Sequence, residues 1–287
     1  MAVDIVITTY KRYSLLQETL TSVVRQSYPH WKCWIAEDGE SEEAYEAVKP
    51  FLKDNRFIYL PGIHAGFPAV PRNRGIRQGT AQYISSLDDD DLWLPQKLEC
   101  QVDFLESHPN CVLVGCNAFW WEGTGKWDQS RLHFKKKTLG KIDYYTFLRQ
   151  NYIGNSAAMF RRAAIEKSGL YNEKLTPPIG EEYELWLRIG ALGDVWVLPE
   201  PYAVFRQTPL TFYSKLDRLA NYKAAANVFE SVLKGVDGVP SPLSYPENEK
   251  LAAACRRERD FYLAGPRFLG RFAHEMKSRI KQFLRFY

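Results

Sequence analysis

Ala81-Gln82-Tyr83-Ile84-Ser85-Ser86-Leu87-Asp88-Asp89-Asp90-Asp91-Leu92-Trp93 is a short strand-like segment that runs straight into four aspartates. Adjacent like charges repel, so such a run needs a cation, basic partners or full solvation. A hard divalent ion takes carboxylate oxygens, often together with phosphate oxygens. The competing reading is a solvated turn that caps the helix starting near Pro95. Leu87, Trp93 and Pro95 frame the run closely, which shifts the balance towards a built site.

Upstream, strand-like and helix-like patterns alternate. Val3–Thr9 is a β-branched run, and Leu15, Leu16, Leu20, Val23 and Val24 follow at helical spacing. Trp31–Ala36 reads as a second strand, Glu42–Leu52 as a helix and Arg56–Leu60 as a third strand. Val70–Gln78 reads as a helix opened by Pro71, and Ala81–Leu87 is the fourth strand. This alternation predicts an α/β fold with a largely parallel sheet and right-handed crossovers. Ligands of open sheets bind at the carboxyl ends of the strands. Glu37-Asp38-Gly39 and Asp88–Asp91 both follow strands, so the two acidic segments are expected to be close in space.

Downstream, Cys111–Trp121 reads as a strand, and Gly123–Lys141 as a basic loop or hairpin carrying Trp127 and Lys135-Lys136-Lys137. Ser156–Phe160, Asp194–Leu198 and Tyr202–Arg206 read as strands, and Glu181–Ala191 as a helix. Past Pro209 the pattern is mainly helical, and Gly235–Pro246 reads as a linker.

The chain has 287 residues, 45% hydrophobic and 25% charged, which suffices for a full core. No run of 18 apolar residues predicts a spanning helix, and the start lacks the pattern of a signal peptide. The five cysteines contain no CxxC pair, which fits reduced thiols and a cytoplasmic location. From Arg267 to Tyr287 six Lys/Arg stand against one Glu, a net of +5, while the whole chain carries +4. The body is therefore not basic, and no nucleic-acid partner is suggested. In that tail Phe268, Phe272, Met276, Ile280, Phe283 and Tyr287 recur three or four residues apart. A basic amphipathic helix suits docking on an anionic membrane surface, and equally packing on the catalytic domain or in a homodimer.

Four ordered segments identify a resemblance. Thr8-Thr9-Tyr10-Lys11-Arg12, Glu37-Asp38-Gly39-Glu40-Ser41, Pro71-Arg72-Asn73-Arg74-Gly75-Ile76 and Leu87–Trp93 together resemble the inverting family 2 glycosyltransferases of GT-A fold. The family patterns are P-T-Y-N-R, D-D-G-S, A-R-N-x-G-I and L-D-x-D-D-x-W, the last containing the DxD metal motif. The resemblance implies a GT-A-like catalytic domain over 1–210, with a nucleotide-binding half (1–105) and an acceptor half (106–210), and a helical C-terminal extension over 211–287. It implies that Thr9, Tyr10 and Arg12 line the nucleotide pocket, and that Asp38 accepts from the ring N–H of the base. Arg72 would meet a base carbonyl or the diphosphate, Asp88 with Asp89 the nucleotide's sugar, and Asp90 with Asp91 a Mg²⁺ or Mn²⁺ ion. Gly180-Glu181-Glu182-Tyr183-Glu184-Leu185-Trp186-Leu187-Arg188 resembles E-D-x-x-L-W-L-R, whose Asp is the general base. Glu182 stands at that position, so either Glu182 or Glu181 would serve. Gly169-Leu170-Tyr171-Asn172-Glu173 resembles G-L-F-D-E, and Asn155-Ser156 also falls in a family-like stretch. The family histidine near Thr208 is absent, and no role is assigned to His64 or His133.

The implied function is transfer of a sugar from a nucleotide diphosphate sugar, UDP-type, to a glycan or lipid-linked acceptor. Two rivals remain. A nucleotidyltransferase would need a glycine-rich phosphate loop, and Thr8–Arg12 contains no glycine. A non-catalytic sugar-nucleotide or glycan-binding module is kept open by the Glu at the base position.

Overall fold

The computed structural model describes residues 1–122, 129, 131–135, 139–207, 218–264 and 279. Trp127, Lys136, Lys137, Thr208 and, Arg279 apart, the Arg267–Tyr287 tail lie outside these.

The expected strands form where their β-branched runs stand: β1 (Val3–Thr9), β2 (Trp31–Glu37), β3 (Phe57–Leu60) and β4 (Tyr83–Asp88). They are parallel neighbours in the order β3-β2-β1-β4, connected through α1 (Tyr13–Val24), α2 (Glu42–Val48) and α3 (Ala69–Gln78). α2 stops short of the expected Leu52: Pro50 lacks the N–H that would continue the ladder, and a 3-10 turn follows at Phe51–Lys53. After the short β5 (Leu92–Trp93), α4 (Lys97–Ser107) leads into β6 (Cys111–Trp121).

The second half completes the sheet with β7 (Gly140–Ile142), β8 (Met159–Arg161) and β9 (Asp194–Arg206). β8 runs antiparallel between β4 and β6, and β9 lies parallel to β6. Among the described residues the sheet therefore has nine strands, and β1, β2, β3, β4, β6 and β9 all point one way. Two segments expected as separate strands are one, β9. Its register shifts against β6 at Cys116/Asn117 and Asn117/Ala118, irregularities that absorb Pro199 and Pro201 without ending the strand.

Helices cover both faces. Val3, Ile5 and Ile7 pack with α1 and α4, whereas Val6 faces the other way, the two-residue period of a strand buried on both sides. The second face receives α3, α5 (Tyr144–Phe147), α6 (Arg162–Ser168), α7 (Glu181–Gly190), α8 (Arg218–Lys234) and α9 (Glu249–Ala264). α3 approaches β1 closely: a Cβ at Gly75 would stand 2.8 Å from Val6 Cγ1.

One core cluster runs from Val6 to Tyr262, so α8 and α9 share the core of the catalytic half. Gly235–Pro246, expected as a linker, is packed, with Val236, Ser241 and Leu243 buried. The join is polar as well. Arg188 is fully buried; it grips Glu184 at 2.6 Å and donates to the carbonyls of Ser168, Gly169 and Leu170. Ser231 on α8 donates to Glu184 Oε1 at 2.7 Å. Removing one member of such a pair leaves the other charge buried and alone. Arg188→Met is expected to cost about 3–5 kcal/mol, read as a fall in the urea midpoint. A loss below about 1 kcal/mol would mean that the pair behaves like a surface contact.

Candidate functional site

The site stands at the carboxyl ends of β1, β2 and β4. Thr9 pairs with Glu37, and Thr8 with Asp88, so the two acidic segments flank β1 as expected. The backbone turns sharply after β1, and Lys11 adopts a left-handed conformation at φ 55°.

The four aspartates alternate between two environments. Asp89 and Asp91 are buried, whereas the side chains of Asp88 and Asp90 are 32% and 13% exposed. Thr19 on α1 donates to the carbonyls of Asp89 and Asp91 at 3.0 and 2.8 Å, fixing the turn from below. Asp91 Oδ1 accepts from the Arg206 amide at 2.9 Å, which ties the turn to β9. Arg12 lies across the top, 2.5 Å from both Asp89 Oδ1 and Asp90 Oδ2. The Asp89 contact is an ion pair without hydrogen-bond alignment, and neither of its carboxylate oxygens has a hydrogen-bond partner.

Arg72 joins the two halves of the site. It is 3% exposed on α3; Nη2 donates to Asp88 Oδ1 and Nη1 to Glu181 Oε1, both at 3.1 Å. Its guanidinium lies 4.8 Å from the centre of the Tyr171 ring. Asn155 Nδ2 also donates to Asp88 Oδ1, at 2.7 Å, and Ser156 Oγ accepts from the Asp88 amide at 3.0 Å. Tyr171 closes the cluster, its hydroxyl lying 3.1 Å from Ser86 Oγ and 3.2 Å from Asn155 Oδ1. Glu181 and Glu182 occupy the first turn of α7, where the helix N-terminus favours carboxylates. Both are buried, and Glu181 Oε2 has no hydrogen-bond partner.

Asp38 and Tyr10 lie on the β2 side. Asp38 is buried and receives the amides of Ala65 and Gly66 at 2.7 and 2.9 Å, with His64 Nδ1 3.0 Å from Oδ2. Tyr10 stacks on His64 with ring centres 4.2 Å apart. Tyr10, His64, Gly39, Glu40, Ser41 and Ile63 border an open cleft of 420 Å³. The structure thus gathers Arg12, Arg72, Asp88, Asp89, Asp90, Asp91, Glu181 and Glu182 into one acidic cluster, and sets Thr9, Tyr10 and Asp38 beside it.

Burial governs the protonation of this cluster. It pushes Asp89 up to about 7, with Arg12 opposing and Asp90 adding to the rise. Asp90 rises through burial, against Arg12. Asp91 stands well above the usual range, through burial and the charges of Asp90 and Asp88. Glu181 also rises through burial, opposed by Arg72. Carboxylates crowded beyond what the arginines neutralise are the electrostatic setting of a cation site. Among the described residues no group of three or more His, Cys, Asp or Glu side chains is arranged to hold a metal ion by itself. Two accessible carboxylates, Asp88 and Asp90, nevertheless fit a hard ion that takes its remaining ligands from phosphate and water.

Sequence reasoning gave no role to His64 or Arg206, and quoted Tyr171 and Asn155 only within family-like stretches. His64 and Arg206 carry no spacing signal of their own. Asn155 reaches Asp88 across 67 residues of chain, and Tyr171 reaches Asn155 across 16 and Asn73 across 98, contacts that no local pattern encodes. At the end of β6 Phe119 is buried, and Trp121 lies under the Arg206 guanidinium at 4.1 Å.

Comparison with known proteins places the chain in a family and a fold. An uncharacterized glycosyltransferase of Rickettsia bellii is 34% identical over 106 residues, 37% of this chain and 15% of that protein. The amylovoran biosynthesis glycosyltransferase AmsE of Erwinia amylovora is 34% identical over 180 residues, 62% of this chain and 65% of that protein. The chain thus spans less than two thirds of the length of each. The crystal structure of S. aureus TarS 1-349 in complex with UDP superposes with a TM-score of 0.68 at 15% identity, covering 97% of this chain and 75% of that one. That likeness establishes the GT-A-like α/β fold. The model of the glycosyl transferase family 2 matches residues 4–169, and this chain belongs to that family.

Proposed function

We propose that this protein transfers a sugar from a nucleotide diphosphate sugar, UDP-type, to an acceptor hydroxyl in a single inverting displacement, in the synthesis of a surface polysaccharide or glycolipid. The observation that carries this reading is Arg72, which spans from Asp88 in the acidic turn to Glu181 at the head of α7. One buried guanidinium therefore sets the spacing between a donor-side carboxylate and the pair of glutamates suited to take a proton. The AmsE and TarS likenesses support a glycan product and a UDP donor.

In this reading Tyr10 and Asp38 receive the base, and Arg12, freed from Asp90, turns to phosphate. Asp90 and Asp88, backed by Asp91, hold Mg²⁺ or Mn²⁺. When bound, that ion neutralises charge on the departing nucleoside diphosphate. Glu182 accepts the acceptor proton as the hydroxyl attacks. Glu181 is committed to Arg72, a cation that weakens it as a base.

A thermal-shift panel of nucleotide diphosphates with and without Mn²⁺ tests the site, because a ligand that binds only the native state raises apparent stability. A rise with UDP that needs Mn²⁺ is expected, together with UDP release from a UDP-sugar in the presence of acceptor. Binding without release would favour a non-catalytic module, and pyrophosphate release from a nucleoside triphosphate would favour a nucleotidyltransferase.

Among the described residues no helix is long and apolar enough to cross a membrane. The net +5 of the Arg267–Tyr287 segment supports peripheral docking, since each basic residue near an anionic surface contributes about 1 kcal/mol. Flotation with anionic vesicles is expected to bring up the full chain at low salt, and not a chain cut before Pro266. Equal behaviour of the two forms would assign the tail to packing or to a dimer.

A further inference from the structure

Lys97 belongs to no part of the site described above. Its side chain is fully buried at the start of α4. Nζ donates to Ser85 Oγ at 2.9 Å and to Gln101 Oε1 at 2.7 Å, and lies 4.0 Å from the centre of the Trp93 ring. These three partners use the three N–H donors of an ammonium. Each partner in turn holds one of three consecutive carbonyls. Trp93 Nε1 donates to Ser156 O at 2.7 Å, Gln101 Nε2 to Ala157 O at 2.8 Å and Ser85 Oγ to Ala158 O at 2.7 Å. The segment gripped in this way is the one that presents Asn155 Nδ2 and Ser156 Oγ to Asp88.

We infer that Lys97 is a positioning residue: its buried ammonium organises Trp93, Gln101 and Ser85 into a clamp on the 156–158 backbone, and so sets Asn155 and Ser156 against Asp88. The inference rests on the proposed role of Asp88 for its effect on turnover, but the clamp itself does not.

Three features favour a clamp over plain packing. A lysine is a costly core residue when its aliphatic neighbours could hold a methionine. Its partners are a hydroxyl, an amide and a ring rather than a carboxylate, and burial accordingly pulls the ammonium down to about 7. Each partner is also oriented by what it holds: Ser85 and Gln101 accept from Lys97 while donating to the clamped carbonyls. Replacing Nζ by an apolar end would leave these acceptors free to rotate away, and the three carbonyls would lose their fixed donors together.

The test compares wild type with Lys97→Met, a substitution of similar length that deprives the buried Ser85 Oγ and Gln101 Oε1 of their donor and is expected to lower the melting temperature modestly while the fold persists. Gln101→Met serves as the second variant, should Lys97→Met fold poorly. Hydrogen exchange on the full chain reads the clamp without reference to activity. Exchange in the 154–159 segment and at the Asp88 amide is expected to quicken roughly tenfold, with β1 and β2 unchanged. Unchanged exchange in 154–159, or a rise spread evenly over β4, β6 and α4, overturns the clamp. In UDP release, Lys97→Met is expected to lose roughly ten- to a hundredfold in kcat, as groups that orient a site commonly do. Its loss should combine less than multiplicatively with that of Asn155→Ala, since both act on the same contact. Fully multiplicative losses overturn the path through Asn155. If exchange quickens while wild type releases no UDP from any donor, the transfer reading fails and the clamp stands.

Discussion

Asp90→Ala is expected to reduce sugar transfer by at least about 10³-fold, the scale of losing several kcal/mol of charge stabilisation, while the protein still folds. The structural argument begins with exposure. Asp90 is one of two aspartates of the run with an accessible side chain, and it pairs with Arg12 at 2.5 Å. Arg12 also contacts Asp89, so the substitution leaves the arginine paired and removes a burial-raised carboxylate from a crowded cluster. Stability should therefore hold or improve. Nucleoside diphosphate release and nucleotide binding, each measured with Mn²⁺ and with chelator, decide the matter. Wild-type turnover in the variant would remove Asp90 from the site, and retained Mn²⁺ dependence of binding would move the ion to Asp88 and Asp89.

Glu182→Gln is expected to lower kcat by roughly 10²-fold or more, the usual contribution of a general base, with little change in donor affinity. The replacement keeps the shape of a residue that is 4% exposed in the first turn of α7. Glu181→Gln is the comparison. Glu181 holds Arg72, which holds Asp88, so its loss should weaken donor binding as well as turnover. The two glutamates are thus separated by kinetics: a kcat effect alone at 182, a mixed effect at 181. If Glu181→Gln gave the larger kcat loss with unchanged KM for donor, the unpartnered Oε2 of Glu181 would be the proton acceptor and the assignment would reverse.

The first half of the fold was readable because its signals are local. The run Val3–Thr9 and the run Cys111–Trp121 form strands with those bounds, since apolar, β-branched and aromatic residues in an α/β sheet are buried on both faces. The meeting of the two acidic segments followed from a general rule about strand ends, and the register of β1 with β2 and β4 realises it. Where the reading erred, composition stood in for position. Gly235–Pro246 has the residues of a linker, but Asn248 Nδ2 holds Pro242 O at 2.9 Å and Ala191 O at 3.2 Å, pinning the turns to the end of α7. Pro199 and Pro201 look like strand breakers, yet the shifts in β6 register and the Asn117 contact to Pro199 O accommodate them. The site was legible as a set of residue types at strand ends. Its wiring was not, because Arg72, Tyr171, Asn155 and Lys97 act through contacts between distant segments.

All ten residues of α7 are buried, from Glu181 to Gly190. Such a helix tolerates little inherited variation, because every position answers both to its neighbours in the core and to the glutamates at its head. Exposed segments, such as the one bearing Ile63, which is 91% exposed, carry no such double constraint. If the proposed role of Glu182 holds, its end of α7 is clamped by the core on every side, and the exposed rim is where substitutions meet the least resistance.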